Sequence, residues 1–178
     1  MHRIGKAALL PALAIVLAAG LTPARAGTFK DEALASLASL EKKIVGLAEA
    51  VPAEKYTWRP ADGVRSFSEV FLHIAAANYG IPRVIGTPPP EGFQFRGYDK
   101  QTTDKAEVLE KLKASFAHAR KAVEALDAAD ADKPVKMFGS ETTVRGACLR
   151  MIEHLGEHLG QSIAYARMNG VVPPWSRK

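Results

Sequence analysis

Near the C-terminal end the chain reads His154-Leu155-Gly156-Glu157-His158. On a helix, histidines four residues apart lie about 40° apart around the axis, so both imidazoles can meet one ion. By the same arithmetic Gln161 and Tyr165 lie within about 20° of His154. Ala147 and Met151 continue that stripe inward. Two imidazoles, an amide and a phenol are thus set into one apolar face. A third histidine, His73, sits in the apolar stripe of a different segment, where leucine would be the ordinary choice. One histidine on an apolar face is commonly a hydrogen-bonded core residue. Three of them need partners, and an ion supplies those at once. Three imidazoles with a free fourth position describe an open, catalytic-type zinc site, and imidazole also suits nickel, copper and iron. The expectation is one divalent transition metal ion, Zn²⁺ or Ni²⁺ foremost, on His73, His154 and His158.

A closed structural zinc site would ordinarily use cysteines, and Cys148 is the only one in the chain. Its helical direction is about 120° from that of His154, which places it in the core. The pentapeptide also matches the inverted zinc-protease pattern HxxEH. That pattern needs a downstream acidic ligand, and no Asp or Glu follows Glu157. Glu157, about 60° from His154, remains a candidate base, and it suits the helix surface equally well. Gln161 and Tyr165 are candidates for positioning a water or a substrate. His118 falls on the polar face of its own segment and is expected to point outward.

Four amphipathic segments must position these residues. The first runs from about Asp31 to Ala50, with Leu34, Leu37, Leu40, Ile44 and Leu47 at threes and fours. The second opens at Ser66-Phe67-Ser68-Glu69, a capping box, and carries His73 in its stripe. Pro82 and Gly86 weaken its end. The third starts near Asp104, with Glu107 placed for a second capping box, and presents Leu109, Leu112, Phe116, Ala119 and Val123. The fourth spans about Thr142 to Asn169 and stops at Gly170. No stretch carries a convincing strand pattern. The expected fold is all-α, a four-helix bundle. Connections 51–65 and 85–102 are long enough for crossovers. The second of them, with Phe93, Phe95 and Tyr98, suits a lid, and Trp58-Arg59-Pro60 suits a plug over a bundle end. Gly156 and Gly160 share a face away from the histidines, which would admit another helix from within the bundle or across a dimer.

The chain has 178 residues, 47% hydrophobic and 24% charged, which fits one globular domain. Residues 1–26 combine a basic head, an apolar run from Ala7 to Leu21 and Ala24-Arg25-Ala26, the order of a cleavable secretory signal. The domain then covers 27–178. Arg3, Lys6 and Arg25 fall in the leader, so of 24 basic side chains 21 remain against 19 acidic ones, a net charge of +2. With no basic run, nucleic acid is not an expected partner. No later run is long enough to span a membrane. The expected location is periplasmic or secreted.

Residues 56–80, YTWRPADGVRSFSEVFLHIAAANYG, and 151–176, MIEHLGEHLGQSIAYARMNGVVPPWS, resemble the DinB-like superfamily of metal-binding four-helix bundles. The first piece is similar to its Trp-x-Pro element before a serine-capped helix with an inward histidine. The second is similar to its last helix. The resemblance spans essentially the whole domain. It implies a bundle with crossed connections, a histidine triad on His73, His154 and His158, and frequent dimerisation. Some relatives transfer low-molecular-weight thiols; the leader read here departs from that cytosolic pattern. The residues support a small metal-dependent hydrolase or transferase acting on an unknown small molecule. A non-catalytic metal- or ligand-binding bundle, and a bundle whose histidines are merely hydrogen-bonded, are the competing readings.

Overall fold

The computed structural model describes residues 28–176, and the leader read over 1–26 lies outside them. Helix α1, Phe29–Ala50, starts earlier than its apolar stripe suggested. Thr28 accepts from the Asp31 amide while the Asp31 carboxylate accepts from the Thr28 amide, which satisfies two otherwise orphaned N–H groups. Helix α2, Phe67–Gly80, carries the expected box, with Ser66 accepting from the Glu69 amide and Glu69 from the Ser66 amide. It ends before Pro82, and Pro82–Ile85 tightens into a 3-10 turn closed by Gly86 at φ +96. Helix α3, Lys105–Glu124, has only half of its expected box. Asp104 accepts from Glu107, but the Asp104 amide donates to Thr102 Oγ1. Helix α4, Val144–Met168, is capped by Thr143, which accepts from the Gly146 amide. Glycine at position 146 leaves room for Thr142, since a β-carbon there would lie 2.2 Å from Thr142 Oγ1 and force that hydroxyl to turn away.

Each helix packs on two others: α1 on α3 and α4, and α2 on α3 and α4. Helices α1 and α2 therefore face each other across the diagonal, as do α3 and α4. The 51–66 connection crosses the bundle, as expected. The segment after α2 joins neighbours instead, and the second diagonal crossing falls between α3 and α4. That crossing contains the one departure from an all-helical fold among the described residues. Pro134–Met137 (β1) and Ser140–Thr143 (β2) form an antiparallel hairpin, with Met137 opposite Ser140. The expectation of no strand is thus corrected. Each strand is only four residues long, and although β1 alternates in burial, so short a run does not stand out as a strand in the sequence. The two turn residues both have positive φ, Phe138 at 51 and Gly139 at 83. Glycine adopts this freely, whereas a phenylalanine there stores on the order of 1–3 kcal/mol of strain.

Helix α2 is the most buried of the four, and between Val70 and Tyr79 only His73 is not buried. Phe67, Phe71, Leu72 and Ile74 meet Leu112, Phe116, Met151 and Leu155 in the core. Each such side chain contributes about 1.5–3 kcal/mol by leaving water. Gly156 and Gly160 do not admit a helix of this chain. Both are exposed, and a β-carbon at either would meet nothing within 4 Å. Among the described residues no helix is long and apolar enough to cross a membrane.

Cys148 lies in the core as expected, fully buried, and burial pushes its thiol up to about 11. The thiolate is the reactive form, so the native protein should be inert to a disulfide exchange reagent at pH 8 and react with one equivalent only when denatured. Rapid labelling of the folded protein would contradict this burial.

Candidate metal centre

His73 projects from α2 and His154 and His158 from α4, the helix packed beside it. One nitrogen from each of the three falls within 4.8 Å of the others. The Nε2 atoms of His73 and His154 are 3.1 Å apart. The rings of His154 and His158 are centred 4.4 Å apart, and those of His73 and His158 4.7 Å apart. Two nitrogens bound tetrahedrally to zinc at about 2.1 Å lie about 3.4 Å from one another, so this spacing suits one ion. The chemistry of the donors agrees. His154 Nδ1 is buried with no partner among the described residues. Facing Nε2 atoms of two neutral rings share only one proton, so at least one ring lone pair is directed into the cluster, as metal binding requires.

The ligand atom of His158 is fixed by its neighbours. Its Nδ1 is 2.8 Å from Gln161 Oε1. An amide oxygen only accepts, so Nδ1 carries the proton and Nε2 keeps its lone pair. Gln161 Nε2 in turn donates to the Tyr165 hydroxyl at 3.0 Å. The Tyr165 ring packs edge-on against Trp58 and Phe67, with centroids 5.4 and 5.6 Å apart. Trp58 therefore backs the chain that orients His158. Tyr165 is 6% exposed, so it reaches the centre through Gln161. Glu157 lies outside the cluster, its side chain 62% exposed and its carboxylate 3.9 Å from Arg150. His118 does not point into solvent as expected. Its ring packs 5.1 Å from that of Tyr79, and its Nε2 is buried. It remains apart from the triad.

Burial lowers His73 to about 4, helped by the positive charge of Arg65 and by His158. Burial also lowers His154 to about 3, with His158, His73 and Arg150 adding to it. Both imidazoles are neutral at pH 7, the form that binds metal. The unfolded chain takes up protons near pH 6.5 that the folded chain refuses until about pH 4. Unfolding then binds protons in that window, and stability falls as pH falls through it. Thermal melts of the chelated protein from pH 7 to 4.5 should show a falling midpoint, less steep in His154→Ala. A flat profile would contradict neutral buried imidazoles.

His73 and His154 form the floor of a cavity of about 660 Å³. Phe95 roofs it from the long connection after α2, its ring 3.4 Å from where a β-carbon of Gly80 would stand. Arg83, Arg150 and Phe138 also line it. Sequence reading placed none of these three at the site, although Arg150 lies one turn before His154 on α4.

A bundle of four helices with three histidines gathered on two adjacent helices defines a helical protein that could hold one metal ion. The chain belongs to the DinB superfamily, whose family model matches residues 36–162. The fold is similar to the crystal structure of a DinB-like protein from Bacillus cereus ATCC 10987, with a TM-score of 0.71 and 17% identity over 81% of this chain and 95% of that one. It is also similar to a DinB-like protein from Bacillus subtilis, with a TM-score of 0.64 and 23% identity over 79% of this chain and 93% of that one. No curated protein matches the chain.

Proposed function

We propose that this protein is an exported, metal-dependent member of the DinB superfamily that acts on a small molecule as a hydrolase or transferase. One observation carries the reading: three imidazoles gather in one cluster, and two of them, His73 and His154, open onto a cavity large enough for a substrate. His73, His154 and His158 would hold one divalent ion, Zn²⁺ or Ni²⁺, which supplies Lewis-acid chemistry when bound. The chain's own residues do the rest. Gln161 holds the His158 ring in one tautomer, and Tyr165 holds Gln161. The apolar walls exclude water around a bound molecule. Glu157 would act only indirectly, through its 3.9 Å contact with Arg150. The leader over 1–26 supports export. The exposed strip of Leu149, Gly156 and Gly160 on α4 supports a homodimer more than contact within the chain.

Cobalt substitution tests the catalytic reading. Azide or cyanide should shift the visible bands of the Co²⁺ form, because a three-histidine set leaves a position for a small ligand. Bands unmoved by either anion would indicate a filled shell and favour a metal- or ligand-binding module without catalysis.

A further inference from the structure

The cavity above the histidines has a composition that selects its ligand. Its walls are Ala77, Ile81 and Pro89 with the three phenylalanines Phe93, Phe95 and Phe138, and none of its lining residues is acidic. Two arginines line it. Arg150 is already engaged, 2.9 Å from Glu153 and 3.9 Å from Glu157. Arg83 has no carboxylate partner among the described residues and sits on the 3-10 turn Pro82–Ile85 at the cavity's side. The result is an apolar slot with one uncompensated positive charge.

Phe138 is the second observation. It is 81% exposed, although burial is the ordinary gain from a phenylalanine. It also occupies a positive-φ turn position where asparagine would be the relaxed choice. Neither the core nor the turn explains that residue type. Its position does, since the hairpin brings it into the lining of the cavity that Phe95, itself 55% exposed, also lines. Strain and exposure held together in a cavity lining mark a residue kept for a ligand.

We propose that this cavity binds organic anions with a flat apolar body, the body gripped between Phe95 and Phe138 and the anionic group met by Arg83. Aromatic carboxylates and sulfonates are the chemical class. The inference rests on the cavity being the substrate site, but not on a metal being bound there.

Equilibrium dialysis of the 27–178 chain against 2-naphthalenesulfonate, 2-naphthylmethanol and 2-naphthylmethylammonium tests it, with and without chelator. A sulfonate is a poor metal ligand, so its binding reports on the walls and not on the ion. The sulfonate should bind about fivefold more tightly than the alcohol, and the ammonium more weakly than either. Arg83→Gln should erase the preference for the anion. Phe138→Asn should weaken sulfonate binding about fivefold while the thermal midpoint stays level or rises, which separates lost grip from lost fold. Equal binding of alcohol and sulfonate, wild-type affinity in both variants, or no sulfonate binding at millimolar concentration would overturn the proposal. Binding that persists in the chelated protein would uphold it even if the metal reading failed.

Discussion

Zinc supplied at about a hundred times its dissociation constant should stabilise the chelated protein by about 2.7 kcal/mol. For a chain of this size that raises the thermal midpoint by roughly 5–10 °C. The ion binds the folded state selectively because the ligands come from two helices. His73 on α2 and His154 and His158 on α4 are far apart in sequence and meet only when those helices pack. Burial already holds His73 and His154 neutral, so at pH 7 the ion displaces few protons. The same experiment on His73→Ala and His154→Ala should show almost no rise. An equal rise in wild type and variants would place the stabilising zinc elsewhere.

Gln161→Ala should weaken metal affinity by about 10- to 100-fold, the usual effect of removing a partner that orients a ligating histidine. The substitution leaves all three imidazoles in place but frees the His158 ring to rotate or change tautomer. Gln161→Glu should recover much of the loss, because a carboxylate oxygen also accepts from Nδ1. Competition with a chromophoric chelator measures both. Unchanged affinity in Gln161→Ala would show that the 2.8 Å contact does not fix the ligand.

The triad was legible because helical spacing maps sequence onto a face, and three histidines replaced apolar residues on inward faces. The capping box at Ser66 was legible for a similar reason, since its four residues interact locally. Features that depend on distant packing were not. His118 reads as outward by helical phase, but Tyr79 comes over it from α2. Gly156 and Gly160 read as a packing face within the bundle or across a dimer, and the ring order of the helices removes the first of these by leaving that side of α4 bare. The hairpin escaped because Phe138-Gly139 is not one of the usual turn pairs and its strands are only four residues long. Gln161 and Tyr165 were visible as neighbours of the histidines. Their role behind His158, with Trp58 behind them, depends on how the loop packs on the helix.

The most direct test of the metal centre is elemental analysis. The 27–178 chain, made without a histidine tag, is reconstituted with Zn²⁺ or Ni²⁺, desalted and measured by mass spectrometry beside His154→Ala. One equivalent of metal in the wild type, lost in the variant while its helical circular dichroism is kept, is the predicted result. No retained metal in the wild type, or equal metal in both, would contradict a centre built on His73, His154 and His158.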